Sequence, residues 1–107
     1  MSLDIILHDP EQGHVLDLNI THNLTTMAKA CGLYQPLWRP EEIGASDAHH
    51  LIPDLEKGIL HALRDVEYLE TLEPDNGWGT YDNLLTAAVE LLKAAHKHPN
   101  ATITISR

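Results

Sequence analysis

Apolar and polar positions divide the chain into strand-like ends around a helical middle. Leu3-Asp4-Ile5-Ile6-Leu7-His8 and Val15-Leu16-Asp17-Leu18-Asn19-Ile20 are β-rich runs. Between them, Asp9-Pro10-Glu11-Gln12-Gly13 holds a proline that presets a type I turn and a glycine free to turn left-handed, which predicts a hairpin. At the far end Ala101-Thr102-Ile103-Thr104-Ile105-Ser106 alternates apolar and hydroxyl residues, the mark of a half-buried strand with its hydroxyl face outward.

Three helical segments are predicted in between. Leu24, Met27, Ala28 and Cys31 fall at i, i+3, i+4, i+7, with Thr21 or Asn23 as cap and Gly32 as stop. Ser46 caps a second segment running toward Asp65, with Leu51, Ile52, Leu55, Ile59, Ala62, Leu63 and Val66 inward and a kink or restart at Pro53. A third begins at Thr80 and ends near His98-Pro99, with Tyr81, Leu84, Leu85, Ala88, Leu91, Leu92 and Ala95 in one wide stripe, the expected central core helix. Residues 33 to 45, with two prolines and a glycine, predict an extended, ordered loop anchored by Trp38. The order β-β-α-α-α-β defines an α+β fold, a small antiparallel or mixed three-stranded sheet covered on one face by about three helices. The last strand can pair with either hairpin strand, and the open edges leave room for a homodimer.

The chain's 107 residues suit one core, so residues 1 to 107 are expected to form a single domain. A formal net charge of -9 opposes the counterion release on which nucleic-acid binding depends, so no direct nucleic-acid partner is expected. Acidity concentrates between Glu41 and Asp75, where ten acids meet only Lys57 and Arg64. A single cysteine, no leader-like pattern and no 18-residue apolar run favour a cytoplasmic protein without a membrane partner.

Pro74-Asp75-Asn76-Gly77-Trp78-Gly79-Thr80-Tyr81 is the most distinctive stretch. A tryptophan between two glycines at a helix start is costly to leave exposed, so it predicts an organising loop with Trp78 plugged into the core. Thr21-His22-Asn23 crowns another helix start, where free N–H groups suit an anion; plain capping is the commoner role. If the Trp38-Arg39 and Trp78 loops close over that helix end, His22, Asn23, Trp38, Arg39, Asn76, Trp78 and Tyr81 form a candidate binding surface, with Arg39 offering a planar fork. The plainer alternative buries both tryptophans and pairs Arg39 with Glu41 or Glu42.

Eight histidines invite a metal reading, but their spacing supports none: His8 and His14 bracket the hairpin turn, His49-His50 are adjacent, and no His-Glu-x-x-His occurs. No metal or cofactor is therefore expected, and Cys31, on an apolar stripe, reads as an inert buried thiol. Nothing matches a nucleotide loop or nucleophile elbow. The leading expectation is a non-catalytic cytoplasmic binding or accessory module acting on an unidentified protein or small molecule. One alternative is a small enzyme with His22 as acid/base near Asn23, Arg39 and Tyr81, acting on a compact anion. The other is an acidic mimic of nucleic acid, using Asp65, Glu67, Glu70, Glu73 and Asp75 to inhibit a partner.

Ile20-Thr21-His22-Asn23-Leu24, Leu37-Trp38-Arg39-Pro40, Leu51-Ile52-Pro53, the Asn76–Tyr81 stretch and the terminal Ile103-Thr104-Ile105-Ser106-Arg107 together resemble a family of short hypothetical proteins from bacteria and their phages. The resemblance spans nearly the whole chain. It implies a stand-alone domain compatible with carriage on a phage or other mobile element, and brings no activity, cofactor or catalytic residue.

Overall fold

A computed structural model describes residues 2–107. β1 (Ser2–Asp9), β2 (Gly13–Thr21) and β3 (Thr102–Ser106) form an antiparallel sheet in the order β2-β1-β3. The C-terminal strand thus pairs with the first strand, which becomes central. Its composition explains the place: Leu3, Ile5 and Leu7 are fully buried, with Ile5 opposite Leu18 and Ile105, and Leu7 opposite Leu16 and Ile103. The other face is mostly polar, pairing Asp4 with Asn19 and Ser106, so only one face needs helices against it.

The hairpin turn is built as its residues predict. Gly13 is left-handed (φ 79°), and the Asp9 carboxylate accepts from the N–H groups of Glu11 (2.8 Å) and Gln12 (3.0 Å). Those two donors, with His98 nearby, hold the Asp9 carboxyl below its ordinary range. The register passes from Leu7–Leu16 to His8–His14, leaving Val15 as the extra residue of a bulge. His8 and His14 face each other edge-on, 5.3 Å between ring centres.

Among the described residues five α-helices occupy the middle of the chain: α1 (Thr25–Cys31), α2 (Tyr34–Trp38), α3 (Ile52–Arg64), α4 (Val66–Glu70) and α5 (Tyr81–Lys97). Residues 33 to 45 are therefore not an extended loop. Pro36 lies in the first turn of α2, where a missing N–H breaks no helical bond, and Pro40 opens a 3-10 turn over Pro40–Ile43. Pro53 likewise falls in the first turn of α3, so the second segment restarts there rather than kinking. The segment before it is a 3-10 turn (Ala48–Leu51) capped by Asp47, not Ser46; the His50 ring returns to the Ser46 and Asp47 N–H groups. Leu63, expected inward, is 54 % exposed, because the chain breaks at Asp65 and α4 buries Leu69 instead.

The third helix matches its pattern closely. Thr80 and Asn83 form a reciprocal capping box, and Tyr81, Leu84, Ala88, Leu91 and Ala95 are buried. α3 lies close to the junction of α1 and α2 through Gly58, where an added Cβ would come within 2.6 Å of Leu33. Among the described residues no helix is long and apolar enough to cross a membrane.

Candidate functional site

β2 hands over to a 3-10 turn (His22–Leu24) at Thr21, whose extended backbone lets its Oγ1 accept from the Asn23 N–H at 3.2 Å. Capping is thus the observed role of Thr21. It also fixes the direction of the next two side chains, which leave toward different neighbours. The His22 Nδ1 accepts from the Trp38 indole N–H at 3.0 Å, and the Asn23 side chain donates to the Trp78 carbonyl at 3.2 Å.

The His22 contact belongs to a closed aromatic corner. Trp38 is only 2 % exposed and stacks on Tyr34 with 5.8 Å between ring centres, while the Lys29 ammonium lies 4.7 Å from the Tyr34 ring centre. Arg39 turns its Nε to the Tyr34 hydroxyl (3.4 Å) and approaches Glu41 at 3.9 Å. The hydrogen bond to Tyr34, helped by Glu42 and Glu41, pushes the Arg39 guanidinium further up. Arg107 closes the corner, donating to the Trp38 carbonyl at 2.7 Å and pairing with Glu41 at 3.0 Å. Glu41 is held below its ordinary range by its own backbone N–H first and by Arg107 second. Arg39 thus spends its Nε on Tyr34 and sets its guanidinium beside Glu41, while its side chain stays 39 % exposed.

The Trp78 loop is the reverse case. Trp78 was expected to plug the core; it is 72 % exposed. Its backbone is nonetheless tied down. Asn76 Oδ1 accepts from the Trp78 N–H at 2.9 Å, Gly77 (φ 74°) closes a turn onto the Pro74 carbonyl, and Asn23 holds the Trp78 carbonyl. Gly79 (φ 125°) presses on β2 and the 3-10 turn so closely that a Cβ would sit 3.0 Å from both Thr21 and Leu24 side chains. Glu73 then accepts the Tyr81 N–H at 2.8 Å, tying the loop's far end to α5.

The seven residues expected to share one surface therefore split. Asn23, Asn76 and Trp78 meet at the loop; His22, Trp38 and Arg39 belong to the closed corner. Tyr81 faces neither: its hydroxyl is buried, donates to the Ala62 carbonyl at 2.7 Å, and is pushed up by desolvation. Five well-defined surface hollows do not include His22 in their walls. Asp65 is engaged by His61 (3.0 Å) and Glu73 by Tyr81, so the acidic run is not one uninterrupted free face. Among the described residues no group of three or more metal-ligating side chains converges. Cys31 is buried, its thiol pushed up by desolvation.

One feature beside the loop has no counterpart in the motifs. A trough runs between β2 and α5: one hollow of about 330 Å³ is walled by Leu18, Ile20, Leu24 and Ala87 with Asp82 and Glu90 on its rim. A second, of about 230 Å³, continues past Glu90 to Lys93 and Lys97. Only the half-burial of Leu16 and Leu18 marks it, and burial is not readable from the run of residues alone.

Fold and site define an α+β protein with a one-sided sheet and an exposed tryptophan whose backbone N–H and carbonyl are both hydrogen-bonded. Comparison with known proteins finds no matching family model, no similar curated protein and no similar solved structure.

Proposed function

We propose that the chain is a non-catalytic binding module whose anchor for a partner protein is Trp78. One observation carries this reading: the most exposed of the large hydrophobic side chains sits on a loop whose backbone is hydrogen-bonded by Asn23 and Asn76 and packs through Gly79 against Thr21 and Leu24. Tryptophan leads the residue types that dominate binding energy at interfaces, because it buries a large rigid surface at little entropic cost. Fixing its backbone in advance removes part of the ordering cost of association. An enzyme built on His22 draws no support from the geometry, since His22 walls none of the described hollows and Tyr81 points into the core. A cytoplasmic accessory role, on a phage or mobile element, fits this reading and the buried lone thiol.

The test is the Trp78→Ala variant. Its unfolding free energy in urea should stay within about 0.5 kcal/mol of the parent's, as for an exposed side chain without packing. Partner proteins captured by the immobilised parent, identified and rebound in purified form, should lose at least about tenfold in affinity. Unchanged affinity for every such partner would remove Trp78 as the anchor.

A further inference from the structure

We propose that the open edge of β2, with the trough against α5, accepts an extended segment of the partner protein as a fourth strand, basic at the Trp78 end and acidic at the hairpin end. The inference rests on the binding-module reading and gives it a partner chemistry. β2 is a nine-residue edge strand whose only strand neighbour is β1 among the described residues. Such an edge presents a row of unpaired N–H and C=O groups, and added strands bind through them while pockets for alternate side chains confer selectivity. The trough supplies those pockets. Its walls follow β2 from Val15 to Thr21, roughly 20 Å of strand, and hold the half-buried Leu16 and Leu18, which an added strand's inward side chains would cover.

Charge decides the occupant. The hollow nearest Trp78 carries Asp82 and Glu90 and no cation; the hollow toward the hairpin shares Glu90 and adds Lys93, Lys97 and His98, so the sign of the lining changes along the trough. Glu90 already approaches Lys93 at 3.8 Å, whereas Asp82 has no ion-pair partner among the described residues. A strand with lysine or arginine near Asp82 and an acid near Lys97 complements both halves. A second copy of this chain does not: pairing centred on β2 sets Asp17 against its own copy, between molecules each of formal charge -9. Trp78 stands where the acidic half begins, since Gly79 packs on the Thr21 and Leu24 that wall that hollow.

The probe is a blocked peptide of about seven residues that alternates valine with polar positions, lysines in one half and glutamate in the other. It is titrated into the isotopically labelled full chain, following amide shifts and hydrogen exchange. Outward amides of β2 should gain protection. Methylating alternate peptide nitrogens, which removes the donors but keeps the side chains, should weaken binding by about tenfold or more. Asp82→Lys and, separately, Glu90→Lys should each cost about tenfold. Absent binding, binding indifferent to methylation, or shifts confined to β3 or α3 would overturn the proposal. So would a concentration-dependent dimer that protects the same β2 amides. If the peptide fails while Trp78→Ala still abolishes capture of a purified partner, the strand-addition inference falls and the Trp78 anchor stands. If Trp78→Ala leaves capture intact, the anchor reading itself falls.

Discussion

Trp38, the last residue of α2, and Trp78, in the loop before α5, both lie within two residues of prolines or glycines, yet one is 2 % and the other 72 % exposed. The difference lies in what their polar atoms meet. At Trp38 the indole N–H, the carbonyl and the ring face all have partners within the molecule: His22, Arg107 and Tyr34. At Trp78 the backbone N–H and carbonyl have partners, Asn76 and Asn23, and the indole N–H has no hydrogen-bond partner among the described residues. A tryptophan satisfied at its side chain serves stability; one satisfied only along its backbone leaves its ring free, as the proposed anchor for a partner requires.

The largest way to break this comparison is the pair of alanine substitutions. Trp38→Ala should lose about 3–5 kcal/mol in chemical denaturation, a substantial fraction of a small domain's stability, through the cavity and the released His22. Trp78→Ala should lose almost none. Equal losses at the two sites would mean that the exposed ring packs in solution, and the distinction would collapse.

How far these fates were legible follows from what fixes them. Periodicity carried the strands, α1, α3 and α5, because each buries one face against the same core. It carried Thr80 as a cap, since capping is a local bond. Proline misled at 33 to 45, because Pro36 and Pro40 stand where helices tolerate proline, and only the surrounding fold decides which turn of a helix a proline occupies. Trp78 misled for a related reason: its glycines announce an ordered loop correctly, but whether the ring turns in or out depends on Gly79 meeting Thr21 and Leu24, which are distant in sequence. The trough was illegible altogether, being made of one strand's edge and a helix some 70 residues later.

The second prediction tests the rigidity of the exposed side. Gly79→Ala places a methyl 3.0 Å from two side chains at a φ of 125°, and should cost about 1–3 kcal/mol. Because the loop must move to relieve the contact, partner affinity should fall with stability. A smaller effect is expected of Asn23→Ala, which removes one exposed hydrogen bond to the Trp78 carbonyl, worth about 1 kcal/mol or less. Amide exchange should quicken across 76 to 79 while the Trp38 corner stays protected. Quickening at both would show that Asn23 and His22, adjacent in the chain, couple the two regions.

The smallest effect separates the regions by pH. Glu41 closes the Trp38 corner through Arg107 and is held below its ordinary value, first by its own backbone N–H and next by that guanidinium. A carboxyl depressed in the folded state stabilises it fully above the unfolded value, about 4.3 for glutamate, and loses that contribution as pH falls through the folded value. Stability should therefore decline on the acid side below roughly pH 4, and Glu41→Gln, which cannot titrate, should flatten that limb while changing little at neutral pH. Both carboxylates that stabilise the corner and carboxylates elsewhere contribute to acid unfolding, so the readout is the emission of Trp38 in a Trp78→Phe background. A Trp38 signal whose acid midpoint is the same with glutamine at 41 would show that Arg107 holds the Trp38 carbonyl without needing Glu41 to orient it.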